Sequence, residues 1–291
     1  MKSPGLVLSS VVFTLLLMEL FAAGPQARLV DQQGTGSPPK RRINTMIEQL
    51  EQGKTLISPT DWMFVDMEHA PYVIEQVAAR FAELDGKRTP SGQLRVTPAI
   101  RLPMYGFEDP SWVVKQILDT GGLTIVFPQV DTKEQALRAV RAMRYPPQRS
   151  SKAPVNPRGI RGWAPGRAVR FWHVTEDEYR ERADLWPLNP DGELFAMIMI
   201  ESPLAVKNIN DILDVPGVGA IFIGPADLGM NLGVGIPKSG AAVPLAPEED
   251  AAIHTALRAC KAKNVVCGIA ANWATKENKQ KLIDEGFRIF L

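Results

Sequence analysis

The segment DWMFVDMEHAP, residues 61–71, ends an apolar run in three groups that can hold or move charge: Asp66, Glu68 and His69. Histidine occurs only three times in 291 residues, and one placed beside two carboxylates is a candidate proton carrier. Other polar groups hold equivalent places, just behind short apolar runs. Arg101 follows VTPAI, Gln129 follows TIVFP, Glu201 follows FAMIMI and Asp227 follows AIFIGPA. Each has an ordinary structural reading: a strand-end carboxylate often caps a helix or pairs with a cation, and a lone histidine is usually satisfied by its loop. Their coincidence at the ends of apolar runs points to chemistry instead. Glu201 and Asp227, from different segments and with positions left to water, suit a hard divalent cation such as magnesium or manganese. Such an ion chelates the carboxylate and keto oxygen of a 2-oxo acid and acts as Lewis acid on a developing enolate. Arg101 would then steady negative oxygen, and His69, oriented by Asp66, would move a proton. These parts fit enolate chemistry better than acyl or phosphoryl transfer.

A scaffold must bring these scattered ends together. Apolar stripes at three- and four-residue intervals predict helices at Val73–Leu84, behind Asp109-Pro110, behind Thr132, behind Ser202-Pro203, around Ile253–Cys260 and at Leu282-Ile283. Asp109 is the expected N-cap with Pro110 in the first helical position, and Thr132 with Gln135 makes a capping box. Between the stripes lie seven short apolar runs, at 62–65, 96–100, 124–127, 195–200, 220–223, 265–270 and 287–291. Runs without alternation are strands covered on both faces, as in a parallel sheet. Glycine separates helix from strand in DTGGLTIVF, VPGVGAIFIG and DEGFRIF, as a C-cap leading into a strand does. Strands alternating with helices predict an α/β fold, a TIM-type β/α barrel, with an open doubly wound sheet as second choice. The absence of G-x-G-x-x-G lowers that second choice.

Composition sets the outer limits. A hydrophobic content of 45% and a charged content of 22% are those of an ordinary globular protein, and a net charge of +1 without a basic block gives no footprint for nucleic acid. Residues 1–24 have a basic start, an apolar middle and small residues near Ala22–Gly24, the pattern of a secretory signal peptide. Export to the periplasm or medium is therefore expected, with no membrane contact after cleavage and a membrane anchor if the segment stays. Residues 25–42 read as a flexible linker and 43–291 as the catalytic domain. Cys260 and Cys267 read as buried free thiols.

DWMFVDMEHAP, RLP with a helix ending LDTGG, RYPPQ with GIRGWAPGRA, IMIES and FIGPADLG together resemble the HpcH/HpaI family of class II pyruvate aldolases, over residues 43–291. The resemblance implies cleavage of a 4-hydroxy-2-oxo acid to pyruvate and an aldehyde. It implies Glu201 and Asp227 as metal ligands, His69 as base with Asp66 as its partner, and Arg101 as the arginine that steadies the enolate. Gly224, Pro225 and Ala226 match the loop holding the substrate carboxylate, and Asp119 matches an acidic position of either structural or functional use. A homo-oligomer is also implied. Three departures stand out. Few residues separate Ser58 from Trp62, so the first β/α unit is expected to be deleted or rewired, because a parallel crossover needs about a dozen residues. The final helix is expected to be missing too, and Met199 replaces a glutamine. Two other readings compete: a non-catalytic exported binder of small 2-oxo acids, and a related acyl-CoA lyase, against which the lack of an evident basic pocket for a CoA phosphate tail weighs. The extra segment WPLNPDG, 186–192, is a candidate for substrate selectivity.

Overall fold

The computed structural model describes Met1 and residues 41–103, 105–149, 152–236 and 245–291. The expected signal peptide, and the linker apart from Arg41 and Arg42, lie outside the described residues. Along the chain run α1 (Thr45–Glu51), β1 (Leu56–Ile57), β2 (Trp62–Asp66), α2 (Ile74–Asp85), β3 (Thr97–Arg101), α3 (Ser111–Asp119) and β4 (Thr124–Phe127). Then come α4 (Lys133–Met143), α5 (Gly166–Trp172), α6 (Glu176–Arg182), β5 (Leu185–Trp186), β6 (Leu194–Ile200), α7 (Pro203–Lys207) and α8 (Ile209–Leu213). The last are β7 (Ala220–Ile223), α9 (Pro225–Leu232), α10 (Pro247–Lys263), β8 (Val266–Ile269), α11 (Lys276–Glu285) and β9 (Ile289–Phe290).

Eight strands line up in the order β1-β9-β8-β7-β6-β4-β3-β2, all parallel, and β5 adds a short pairing to the start of β6. The two ends of that order, β1 and β2, are consecutive in the chain, so the sheet curls into a nearly closed barrel. All seven predicted strands are present. Their apolar runs are explained by burial on both faces: one cluster, including Trp62, Phe195, Met197 and Phe222, lies inside the barrel, and a larger one lies between the sheet and the surrounding helices.

The first β/α unit is only half missing. β1 exists and pairs with β9, Leu56 beside Ile289 and Ile57 beside Phe290. What is absent is the helix: Ser58–Asp61 turns directly into β2, with the Asp61 carboxylate accepting from the Ile57 N–H at 2.9 Å. The dozen-residue rule applies to strands that share a ladder, and β1 and β2 do not. Their seam is bridged by Trp62, whose indole Nε1–H donates to Phe290 O of β9 at 3.2 Å.

Helix α1 closes the opposite mouth of the barrel. Thr45 N–H donates to Thr97 Oγ1 at 2.9 Å and Asn44 Nδ2 to Thr124 Oγ1 at 3.1 Å, both at the starts of strands. Met46 and Ile47 are fully buried among the interior side chains. Residues 186–192 belong to this end: Trp186 Nε1 donates to Glu51, and Arg42 reaches Pro190 O and Gly192 O. That placement makes the extra segment a brace for α1, far from the strand ends that carry the polar residues.

Helix signals hold with one shift. The Thr132–Gln135 capping box forms, and Ser202 caps α7 through Ala205 N–H. Helix α3 starts at Ser111, one residue later than expected, and Asp109 accepts from the Ser111 N–H at 2.9 Å. Gly286 caps α11 and Gly121 follows the cap of α3, both at positive φ as the C-cap reading requires, whereas Gly217 turns the chain three residues beyond Asp214, the cap of α8. Both cysteines are free and buried. Among the described residues no helix is long and apolar enough to cross a membrane.

Candidate active site

Parallel register places the polar strand ends side by side. Asp66 and Arg101, the last residues of β2 and β3, are direct partners in the ladder. Arg101 grips Asp66 at two points, Nε to Oδ1 at 3.0 Å and Nη2 to Oδ2 at 2.7 Å. Its third nitrogen, Nη1, lies 2.8 Å from Glu68 Oε2, and the guanidinium stacks 5.2 Å from the centre of the Phe64 ring. Burial opposes the charge on Asp66, but the hydrogen bonds from Arg101 and from the Glu68 and His69 N–H groups outweigh it and hold its carboxyl below the usual range.

His69 sits differently from expectation. The Asp66 carboxylate accepts from the backbone N–H of His69, at 3.4 Å, and of Glu68, at 2.9 Å. The imidazole is open to solvent, with 64% of its side chain exposed, and its Nε2 lies 3.8 Å from Glu68 Oε2. Asp66 thus shapes the loop under the histidine, while the carboxylate facing the ring is Glu68. Sequence reasoning gave Glu68 no catalytic role, only that of a structural partner to an arginine, and the structure pairs it with Arg101.

Glu201 ends β6 and is almost completely buried. Its Oε2 accepts from the Gln129 N–H at 2.8 Å, a contact made possible by the left-handed backbone of Gln129 at φ 51°. Its Oε1 packs against Gly224, where a Cβ would sit only 2.5 Å away. Burial pushes the Glu201 carboxyl up to about 8; the Gln129 N–H works against this, and the charges of Glu68 and Asp227 add to it. Glu68 is raised as well, by burial first, with Asp227 and Asp66 adding while Arg101 and His69 oppose. Gly224 caps α9, Pro225 opens it, and half-buried Asp227 lies in its first turn. Exposed Ala226 stands between them. Asn231 of the same helix donates to Glu201 O at 2.8 Å, tying α9 to the end of β6. The N–H groups at this helix start are a ready anion cradle for a carboxylate.

Asp66, Glu68 and Glu201 therefore share one guanidinium, Asp227 adds its charge to Glu68 and Glu201, and Glu68 also faces an exposed imidazole. The negative charge gathered around buried Glu201 is of the kind a hard divalent cation would offset. Among the described residues no three His, Cys, Asp or Glu side chains converge as an ion cage. Two carboxylates, Glu201 and Asp227, with the other positions left to water and substrate, are the donor set on offer, and that set fits magnesium or manganese. Met199 is buried inside the barrel and adds no polar contact. Asp119 lies at the other end of its helix, closing α3 and bound 2.8 Å from buried Arg161, so its placement is structural.

The sequence profile of the HpcH/HpaI aldolase/citrate lyase family matches residues 46–290. The hydroxypyruvate/pyruvate aldolase of Roseobacter denitrificans (strain ATCC 33942 / OCh 114) is 32% identical over 208 residues, 66% of this chain and 70% of that protein. The 2-keto-3-deoxy-L-rhamnonate aldolase of Escherichia coli (strain K12) is 34% identical over 211 residues, 72% of this chain and 66% of that protein. The chain thus spans about two thirds of the length of these curated relatives. The crystal structure of an HpcH/HpaI aldolase/citrate lyase family protein from Burkholderia cenocepacia J2315 superimposes with a TM-score of 0.65 at 26% identity, over 85% of this chain and 91% of that one.

Proposed function

Since the chain belongs to the HpcH/HpaI aldolase/citrate lyase family, we propose that it is a divalent-metal-dependent aldolase that cleaves a 4-hydroxy-2-oxo acid to pyruvate and an aldehyde. The observation that carries this reading is the cluster of carboxylates around buried Glu201, beside an arginine clamped by Asp66 and Glu68 at the strand ends. A cation held by Glu201 and Asp227 would supply Lewis-acid polarisation of the 2-keto group. The N-terminus of α9, at Gly224, Pro225 and Ala226, holds the substrate carboxylate. His69, exposed on the rim, takes the proton of the 4-hydroxyl, directly or through water. The C3–C4 bond then breaks, its electron pair moves toward C2–C3, and the 4-carbon leaves as the aldehyde.

Arg101 meets the negative oxygen that develops at C2. Asp66 takes two of its five N–H groups, on Nε and Nη2, and Nη1 faces Glu68 without an aligned hydrogen bond, which leaves N–H groups on both terminal nitrogens for that oxygen. Protonation at C3 completes pyruvate. We also propose that residues 1–24 direct export, to be checked by mass spectrometry of the secreted chain for cleavage near Gly24. The activity is tested by incubating the protein with manganese or magnesium and a set of 4-hydroxy-2-oxo acids and measuring pyruvate. Release should vanish with chelator and in Glu201→Ala and Asp227→Ala. A folded, metal-loaded protein that binds pyruvate yet releases none from any member of the set is a binder, and the aldolase reading falls.

A further inference from the structure

We propose that Glu68 is a positioning residue for Arg101, fixing the plane of its guanidinium and its distance from His69. The inference rests on the aldolase reading, in which Arg101 meets the developing enolate oxygen. Asp66 holds the Nε and Nη2 edge of the guanidinium at 3.0 and 2.7 Å. Two contacts along one edge define an axis about which the plane still tilts. The Phe64 ring, 5.2 Å below, supports the face without direction. The third point is Glu68, whose Oε2 sits 2.8 Å from Nη1.

The same oxygen lies 3.8 Å from His69 Nε2, so one atom spaces the proton carrier from the charge stabiliser. Asp66 does not fill this place. Its Oδ1 already takes Arg101 Nε and two backbone N–H groups, and its Oδ2 takes Nη2. Glu68 Oε2 is buried and makes no aligned hydrogen bond, so it acts as a negative charge set against the Arg101 guanidinium on the side that faces the His69 ring. A buried carboxylate in that state is costly unless a neighbour uses it. In this site the use is to hold Arg101 square to the substrate.

The test compares Glu68→Ala, Glu68→Gln and Arg101→Ala in the full manganese-loaded chain. Glu68→Ala should lower kcat about 10- to 100-fold, the usual loss on removing an orienting partner, with KM changed less than about threefold. Glu68→Gln should recover part of that loss, because its amide oxygen still meets Nη1. A second readout needs no turnover. In the chain loaded with diamagnetic magnesium instead, the Arg101 Nε–H resonance, assigned by its loss in Arg101→Ala, should be sharp and slow to exchange in the wild type and broadened in Glu68→Ala. A Glu68→Ala enzyme with kcat within twofold of wild type overturns the proposal, as does an unchanged Arg101 resonance. A wild type that turns over no substrate overturns the aldolase reading, and the resonance alone then decides the role of Glu68.

Discussion

Glu201 carries the strongest pH dependence of the candidate site. Its carboxyl is pushed from about 4.5 up to about 8, first by burial and then by Glu68 and Asp227, so ionising it costs the metal-free fold stability. Because the folded value is the higher one, the stabilising contribution is complete below about 4.5 and disappears as the pH climbs through 8. In chelator, Glu201→Gln should therefore melt above wild type at pH 9, with the gap closing near pH 4.5. Manganese at pH 9 should raise the wild-type melting temperature and leave Glu201→Gln unmoved. A wild type whose metal-free stability is flat across that window would contradict the assignment. At this scale the sequence disclosed which residues gather but not how they pair. Asp66, His69, Arg101, Glu201 and Asp227 all follow apolar runs and are legible on that ground. That Asp66 serves Arg101 and Glu68 faces the imidazole depends on the β2–β3 register, which pairs Asp66 with Arg101 directly.

At the scale of elements, the turn from β7 into α9 carries the most weight. Gly224 brings backbone against the Glu201 carboxylate, and a methyl group there would sit 2.5 Å from Oε1. Neither atom has room to yield, because Glu201 is pinned by Gln129 N–H on its other oxygen and Asn231 ties α9 to its backbone. Gly224→Ala should weaken manganese binding at least about tenfold, in line with displaced ligand geometry, while circular dichroism stays that of wild type. Calorimetry showing unchanged affinity would mean that Glu201 is not a ligand in this position. The glycines, prolines and caps that start and stop these elements were readable because each is a local signal. The left-handed Gln129 was not, since φ 51° at glutamine is set by the loops packed on it, where Gly106 N–H donates to Gln129 O at 3.3 Å.

Over the whole molecule, the seven short apolar runs announce a barrel, yet they conceal how it closes. β1 is two residues, too short to show a period, and only its pairing with β9 reveals it as a strand. Nor does the α1 segment display its destination, because a seven-residue helix with an apolar first turn looks like any surface helix. Its place inside the N-terminal mouth is a tertiary outcome, reached because the interior side chains at that end have to be sealed from water. Ile47 is fully buried in that interior cluster, so Ile47→Ala removes packing and leaves a void, at a cost of about 2–5 kcal/mol. For a unit of this size that corresponds to a melting temperature lower by roughly 5–15 °C. The polar site lies at the other end of the strands, so manganese affinity of the folded variant should match wild type. A melting temperature unchanged within about 2 °C would show that α1 does not plug the barrel, whereas a fall in both stability and metal affinity would show that the two mouths are coupled.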